Sequence, residues 1–180
     1  MTQPDQPTSS QYISTSGESD YSDPHGDDFE ALSRDRIPVR SMNSDDLPHV
    51  VRIDQEITGR NRKDYLAHKA DEALKESGIR ISIVAEQDDR PVGFIMARLD
   101  FGEFGHTEPE AVIDTIGVDP AYTHHDIGRA LLSQLISNLA ALNVEQIRTE
   151  LDWNNFALLA FLEHCGFRPS QRLALSRMVD

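Results

Sequence analysis

Strand-like and helix-like segments alternate in the second half of the sequence, and this order restricts the possible folds more than any other feature. Residues 111–118 are apolar and rich in β-branched side chains, and Asp119–Pro120 ends them. Residues 127–142 carry leucine and isoleucine at the spacing of an amphipathic helix. Residues 145–153 then favour a strand and residues 155–165 a helix. Because strands joined through a helix pair in parallel, this order predicts a parallel βαβ unit in an α/β fold.

The flanking segments extend this unit on both sides. Residues 80–87 and 92–101 are strand-like and separated by a short turn, which predicts an antiparallel hairpin. Two further strands are expected at 36–42 and 171–179, and two further helices at 44–57, capped by Ser44, and 62–77, ended by Gly78. The prediction is a mixed central β-sheet with helices on both faces.

Composition divides the chain into an acidic tail and one folded domain. The 180 residues carry a formal net charge of −14, and residues 1–35 hold many acids but Arg34 as their single base. With few aliphatic residues, 1–35 cannot offset the entropy of folding and are expected to be disordered, leaving 36–180 as the domain. Such acidity disfavours nucleic-acid binding. It either favours cationic partners such as amines or only maintains solubility.

Other features of the sequence indicate a cytosolic protein. Cys165 is the only cysteine, so no disulfide can form within the chain. No apolar run is long enough to span a bilayer, and the first thirty residues lack the pattern of a secretory signal. The adjacent His124 and His125 have no further ligand at metal-binding spacing, so no metal site is expected.

Two segments resemble the GCN5-related N-acetyltransferase (GNAT) superfamily. Residues 116–132 (IGVDPAYTHHDIGRALL) are similar to its cofactor strand, loop and helix, and residues 149–167 (TELDWNNFALLAFLEHCGF) to its fifth strand and following helix. Both segments are also similar to those of ribosomal-protein alanine acetyltransferases. The resemblance implies a V-shaped splay between strands 4 and 5. It further implies acetyl-CoA-dependent transfer of an acetyl group to a primary amine of a small molecule or protein, and a possible homodimer.

The resemblance also implies which residues hold acetyl-CoA. The splay leaves strand 4 with free backbone groups, which the pantetheine arm can bond as an added strand. The strand, loop and helix positions that correspond to the family's cofactor contacts are Ile116, Gly117, Val118, Thr123, His124, His125, Asp126, Ile127, Gly128, Arg129 and Asn155.

The phosphate loop departs from the family pattern of Gln or Arg, two residues, Gly, one residue, and Gly or Ala. Gly128 keeps the last position, whereas Thr123 and Asp126 replace the first residue and the first glycine. Asp126 is expected to repel phosphate, or to accept as an N-cap the N–H groups that a phosphate needs. Backbone N–H groups, the histidines and Arg129 could compensate. The alternative function is a degenerate GNAT-fold module that binds CoA weakly or not at all.

The resemblance assigns the catalytic base but no acid. Glu150 lies where the alanine acetyltransferases carry a general base, although it could equally be a surface carboxylate. The family's usual acid is a tyrosine seven residues after the helix-starting Asn, and here that position is Leu162, beside Phe161. Acid catalysis is therefore left to water or to another group such as Tyr122.

Three residues are candidates for the acceptor site. Arg60 and Arg62, between the first two helices, would favour an anionic group on the acceptor, or would form a solvated basic turn. By simple alternation, Asp114 would share a strand face with Ile116 and Val118, where it could attract the amine.

Overall fold

A five-stranded mixed sheet forms the centre of the protein. The computed structural model describes residues 36–75, 80–101, 108–123, 125–171 and 175–179. The expected tail at 1–35, Gly78 and His124 therefore lie outside the described residues. The strands, in spatial as well as chain order, are β1 (Val39–Ser41), β2 (Arg80–Gln87), β3 (Arg90–Asp100), β4 (Glu110–Val118) and β5 (Gln146–Thr149). The helices are α1 (Leu47–Thr58), α2 (Lys63–Lys75), α3 (Ile127–Ala141) and α4 (Phe156–His164).

Strand pairing follows the predicted topology. β1, β2, β3 and β4 pair antiparallel in sequence, and β4 pairs with β5 in parallel through the α3 crossover. Asp88 and Asp89 form the β2–β3 turn with φ of 51° and 57°, which suits a hairpin turn whose twist matches the strands. The mixed sheet and its hairpin are confirmed.

Alternation along β3 separates two apolar cores. Phe94 and Met96 pack with α1 and α2 through residues such as Ile53 and Leu66. Ile95, between them in the chain, packs on the opposite face against α3 through residues such as Leu131. Because successive side chains of a strand point to opposite faces, one strand supports both layers. Helices on both faces of the sheet are thus confirmed.

A capping network lies just before α1. Asn43, rather than the expected Ser44, caps the single 3-10 turn Ser44–Asp46 that leads into α1: its side chain accepts the Asp45 N–H at 2.8 Å, while Asp46 accepts the Asn43 N–H at 2.8 Å. Arg40 on β1 donates two hydrogen bonds to Asp46 and two, of 2.9 and 2.6 Å, to Glu86 on β2. Burial alone would raise the pKa of Asp46, but the bonds from Arg40 and Asn43 outweigh it and lower that pKa.

A β-bulge in β4 changes the direction of one predicted site residue. Met96 pairs with Thr115 and Ala97 pairs with Ile113, so Asp114 is an extra residue in β4. Ile113, Ile116 and Val118 pack on the α3 side, whereas Asp114 contacts Lys69 of α2. Asp114 therefore does not share the face of Ile116 and Val118, because simple alternation does not hold across a bulge.

The C-terminal part of the chain differs from the prediction. β5 ends at Thr149 rather than at residue 153, so Glu150 follows the strand instead of lying within it. Gln171 and Leu175–Val179 are not in a strand, and Leu175 and Val179 are exposed. Residues 172–174 lie outside the described part of the chain. No helix within the described ranges is long and apolar enough to cross a membrane.

Candidate functional site

The splay between β4 and β5 opens a cleft. Their last pairing is Ile113 with Thr149, after which β5 ends and β4 continues to Val118. At the fork, the Thr149 hydroxyl donates a 3.1 Å hydrogen bond to the Ile113 carbonyl. A cleft of about 1120 Å³ begins here and is bounded by α1, β4, the loop before α3, and α4. The predicted V-shaped splay is confirmed.

The β4 wall of the cleft presents a strand edge. Ile116, Gly117 and Val118 pair with β3 on one side, and within the described residues β5 does not reach them on the other. An extended amide-bearing ligand can bond such an edge. Gly117 has an additional reason to be glycine: a Cβ there would lie 2.7 Å from the Phe94 ring and 3.1 Å from Ile57. Its small size is needed for packing toward α1.

Asp119 anchors the loop that follows β4. Its carboxylate accepts the Ala121 N–H at 2.9 Å and an Arg52 guanidinium N–H at 2.7 Å, so it connects the loop to α1. Burial raises the pKa of Asp119, but these two hydrogen bonds outweigh it and lower that pKa. The loop start is therefore held by a carboxylate that stays ionised near neutral pH.

The next loop residues are only partly directed at the cleft. Thr123 lines the cleft, but its hydroxyl donates to the Pro120 carbonyl at 3.1 Å. His125 is exposed, and its ring meets the Tyr122 ring edge-on at a centroid distance of 6.4 Å. Tyr122 lines the cleft and packs against the α3 core, whereas His125 is not among the lining residues.

Asp126 has a left-handed backbone, with φ of 58° and ψ of 10°, immediately before α3. This conformation explains why a glycine suits the position, since side chains with a Cβ are strained there and Asp is among the better tolerated. The Asp126 side chain makes no capping hydrogen bond to α3, contrary to one of the expected roles. The first N–H groups of the helix are thus not taken by this carboxylate.

The start of α3 faces α4 across the cleft. Gly128 and Arg129 line the cleft, and Ile127 lines it with a buried side chain. A Cβ at Gly128 would lie 3.1 Å from the Phe161 ring of α4. A glycine here therefore lets the helix start and the aromatic ring approach closely.

α4 contributes Asn155 and Phe161 to the cleft. The Asn155 side chain accepts the Leu158 N–H at 3.2 Å, which makes it the helix cap, and it also lines the cleft. Phe161 lines the cleft, whereas Leu162 is buried with 3% exposure. The cleft-facing residue at this end of α4 is therefore Phe161, which has no proton to donate.

Glu150 lies at the end of the β5 wall. It lines the cleft, and 76% of its side chain is exposed. Arg148 Nη1 donates a 3.1 Å hydrogen bond to Glu150 Oε1. The carboxylate is accessible to solvent and ligands, and one of its oxygens is held by a guanidinium.

Asp114 lines the cleft, as predicted for an acceptor-site residue, but its carboxylate is paired with basic side chains. Lys69 Nζ lies 2.8 Å from Asp114 Oδ2, Arg98 donates to Oδ1, and Arg80 Nη1 lies 3.9 Å away. Burial lowers the pKa of Lys69, and the carboxylate is itself largely buried. This arrangement does not favour the expected attraction between Asp114 and an acceptor amine.

Arg62 is also paired. Its guanidinium forms a two-pronged ion pair with the buried Asp54 of α1, with 2.9 Å between Nε and Oδ2, and lies 5.3 Å from the Tyr65 ring centroid. The bonds to Asp54 raise the pKa of Arg62. Arg62 lines the cleft, whereas Arg60 is exposed and is not among the lining residues. The expected anion site of two arginines is not assembled.

Sequence reasoning missed three residues that shape the site. Arg52 and Asp119 pair with each other, and Arg148 bonds Glu110 of β4 as well as Glu150, so each of the three has a partner far away in sequence. An arginine inside a strand segment, as in QIRT, is the signal that could have identified Arg148. Among the described residues, no group of three or more His, Cys, Asp or Glu could hold a metal ion.

The fold and the cleft together agree with the comparisons with known proteins. Residues 47–167 match the model of the "Acetyltransferase (GNAT) family". This match spans more than half of the chain, and the protein therefore belongs to that family.

The curated relatives match a shorter segment. The [Ribosomal protein bS18]-alanine N-acetyltransferase of Escherichia coli (strain K12) is 38% identical over 61 residues, which cover 34% of this chain and 41% of that protein. The same protein from Shigella flexneri matches equally. The chain thus spans less than half the length of the curated relatives it matches.

Solved structures share the fold across most of the chain. The structure of AAC(6')-Iy in complex with the bisubstrate analogue CoA-S-monomethyl-acetylneamine has a TM-score of 0.70 at 16% identity, covering 80% of this chain and 99% of that one. The aminoglycoside antibiotic 6'-N-acetyltransferase AAC(6')-Ih from Acinetobacter baumannii has a TM-score of 0.68 at 15% identity, covering 80% and 99%. At these identities the likeness describes the fold alone.

Proposed function

We propose that the protein is an acetyl-CoA-dependent N-acetyltransferase that transfers an acetyl group to a primary amine. The observation that carries this proposal is the cleft between β4 and β5, which presents the Ile116–Val118 strand edge beside the start of α3. Membership of the GNAT family and the aminoglycoside acetyltransferases of similar fold support it. We further propose that 36–180 form the domain that carries this site and that 1–35 are a disordered acidic tail.

The residues present fit acetyl-CoA. The open β4 edge matches the amides of a pantetheine arm, and the first N–H groups of α3 match a pyrophosphate. Asp126 leaves those N–H groups to a ligand, since its side chain does not cap the helix. The proposed contacts are Ile116, Gly117, Val118, Ile127, Gly128, Arg129 and Asn155, with the loop residues Thr123 to Asp126 beside the phosphates.

The reaction needs a base near the end of β5. When bound, acetyl-CoA supplies an acetyl thioester whose carbonyl carbon accepts the amine. Glu150 is proposed to take the amine proton, directly or through a water molecule, so that the lone pair is free to attack. Its exposed carboxylate at the cleft supports this role. Because Phe161 faces the cleft in place of an acid, we propose that water protonates the departing thiolate.

For the acceptor, we propose only its chemical class, a primary amine. The structures of similar fold include enzymes named for aminoglycosides, and the curated relatives are named for the alanine of a ribosomal protein. The ion pair of Arg62 with Asp54 argues against an anionic handle on the acceptor. An alanine-starting peptide and neamine are therefore the first acceptors to test, with spermidine as a third amine.

A homodimer is proposed from exposed apolar surface. Trp153 is 91% and Phe156 69% exposed beside α4, and Leu175, Met178 and Val179 are also exposed. Patches of this kind commonly mark protein–protein contacts. Light scattering on a sizing column should give twice the monomer mass, and Phe156→Ser should lower it. Phe101→Ser, at a 63% exposed site elsewhere, is the matched control. A monomer at all concentrations would reject the dimer.

Two measurements test the proposed activity. Calorimetry should detect acetyl-CoA binding, and a thiol reagent should detect CoA release that depends on added amine and is strongly reduced in Glu150→Gln. Binding without turnover for any amine would instead support the alternative of a regulatory GNAT-fold module. Absence of binding would reject the cofactor assignment. A cytosolic location, proposed from the lone cysteine, can be tested by cell fractionation.

A further inference from the structure

Arg148 makes hydrogen bonds to three carboxylates from three different strand ends. Its Nε lies 2.8 Å from Oε1 of Glu110, the first residue of β4. Its Nη2 lies 3.1 Å from Oδ2 of Asp100, the last residue of β3, and its Nη1 lies 3.1 Å from Oε1 of Glu150. One guanidinium on β5 thus connects two strand-end carboxylates with the proposed base.

Two of these contacts fix the plane of the guanidinium. Asp100 and Glu110 are directly opposite each other in the β3–β4 ladder, and both are largely buried. Like charges placed opposite one another are destabilising, and Arg148 lies between them. Because the guanidinium is planar and rigid, bonds to Nε and Nη2 also determine where Nη1 points. That direction is toward Glu150.

Glu150 benefits from this support more than the other two carboxylates. Its side chain is 76% exposed and follows the end of β5, so its neighbours restrict its rotamers little. A freely rotating carboxylate spends little time in any single orientation, and catalytic groups lose rate when they are misplaced. The contact with Arg148 Nη1 limits the orientations that Glu150 samples at the cleft.

We propose that Arg148 is a positioning residue that holds Glu150 at the cleft through Nη1. This inference rests on the proposed function, in which Glu150 is the base. Arg148 itself touches neither acceptor nor cofactor in this role, since it acts through Glu150. The charge alone does not fulfil the role, because a lysine has no planar fork with which to engage Glu110, Asp100 and Glu150 together.

A double-mutant cycle on the full-length protein tests this role. We would measure kcat, and KM for acetyl-CoA, in wild type, Arg148→Met, Glu150→Gln and the double variant, with whichever of the alanine peptide, neamine and spermidine is turned over fastest. Arg148→Met should lower kcat about 10- to 100-fold with little change in KM for acetyl-CoA, as for other residues that orient a functional ligand. In the Glu150→Gln background the same substitution should have almost no effect.

Further variants separate positioning from stability. Arg148→Lys keeps a charge and should recover only part of kcat, while thermal unfolding and calorimetric acetyl-CoA binding report whether each variant is folded. Asp100→Asn weakens one anchor but leaves Nη1 beside Glu150, so its kcat should fall less than that of Arg148→Met. If Arg148→Met does not fold, the cycle is run with Arg148→Lys.

The outcomes distinguish the inference from the proposed function. Equal losses of kcat in the wild-type and Glu150→Gln backgrounds would overturn the positioning role, as would an unchanged kcat in Arg148→Met. Wild-type protein that turns over none of the three amines would reject the proposed activity instead. Full activity in Glu150→Gln would reject Glu150 as the base, and the positioning role of Arg148 with it, but would leave the proposed acetyltransferase activity standing.

Discussion

Lys69 Nζ on α2 lies 2.8 Å from Oδ2 of Asp114, the extra residue of the β4 bulge. The two side chains are largely buried, and Arg98 shares the same carboxylate. Removing one member of a buried ion pair leaves the other charge uncompensated. We therefore expect Asp114→Asn to lower the free energy of unfolding by roughly 3 kcal/mol, measured by urea denaturation.

Asp71→Asn is the matched control, because Asp71 pairs with Lys75 on the exposed face of the same helix. Its cost should stay below about 0.5 kcal/mol. An Asp114→Asn variant that loses little stability but has a higher KM for the amine would contradict our interpretation. It would restore the amine-attracting role expected from the sequence.

Asp126 allows charge and backbone strain to be tested separately. Asparagine tolerates the left-handed backbone but removes the charge, so Asp126→Asn should bind acetyl-CoA about five-fold more tightly, from roughly 1 kcal/mol of relieved repulsion in an exposed setting. Asp126→Gly should add up to about 1 kcal/mol of stability by relieving strain. Calorimetry and thermal unfolding measure the two effects.

Asp89 supplies the control for Asp126, since it has φ of 57° in the β2–β3 turn. Asp89→Gly should change stability without changing acetyl-CoA affinity. Equal affinity in wild type and Asp126→Asn would show that the carboxylate does not repel the cofactor. If none of these proteins bound acetyl-CoA, the assignment of this loop as the phosphate-binding element would be rejected.

Phe161, rather than Leu162, is the position at which a hydroxyl would reach the cleft. We expect Phe161→Tyr to raise kcat about ten-fold by supplying a proton donor, less than the roughly 100-fold that an evolved general acid contributes at least, with little change in stability. Leu162→Tyr should instead lower the free energy of unfolding by about 1–3 kcal/mol, because it forces a larger, polar side chain into the core. Steady-state kinetics and urea denaturation distinguish these results. A higher kcat in Leu162→Tyr would show that α4 is rotated in the active protein.

Asp119 predicts a pH dependence of stability. Its pKa is lowered in the folded state from an ordinary value near 3.8, so its contribution is complete above that value and is lost as pH falls below it. Asp119→Asn should therefore cost about 1.5–3 kcal/mol at pH 7, the usual range for hydrogen bonds to a charged group. The difference from wild type should shrink below pH 4, as followed by urea denaturation.

Arg52→Gln is the companion variant, because Arg52 is partly exposed and Asp119 would keep its bond from the Ala121 N–H. Its cost should be under about 1 kcal/mol. A pH-independent difference for Asp119→Asn would indicate that packing, rather than ionisation, accounts for its effect.

The element order was predictable because it depends on local patterns. The largely apolar runs of β2 and β3, separated by a short turn, and the leucine spacing in α3 specify their own secondary structure. The parallel strand pair joined through α3 also follows from element order, whereas the cleft was predicted from the resemblance of residues 116–132 and 149–167 to the GNAT superfamily. Secondary structure of this kind can be predicted without knowing which distant residues are in contact.

The remaining differences depend on partners that a linear pattern cannot show. The bulge at Asp114 arises from its pairing with β3, which reverses the side on which the carboxylate lies. The sequence predicted an Arg62 side chain available to the acceptor, but it is paired with Asp54 of the preceding helix. The alternation over 171–179 favours a strand, yet residues 171 and 175–179, the part of this segment that the structure describes, pair with no strand. A strand needs a partner as well as a pattern.

The fork at Ile113 and Thr149 fixes how deep a ligand can penetrate between the strands. β5 contains four residues, and its last side chain bonds the β4 carbonyl where the two strands separate. One more residue of parallel pairing would raise the floor of the cleft by about 3.3 Å, the rise of one residue in a parallel strand. For the proposed acetyl-CoA, strand length would therefore limit the reach of the acyl chain beyond the sulfur, and a shorter β5 would accommodate longer acyl groups.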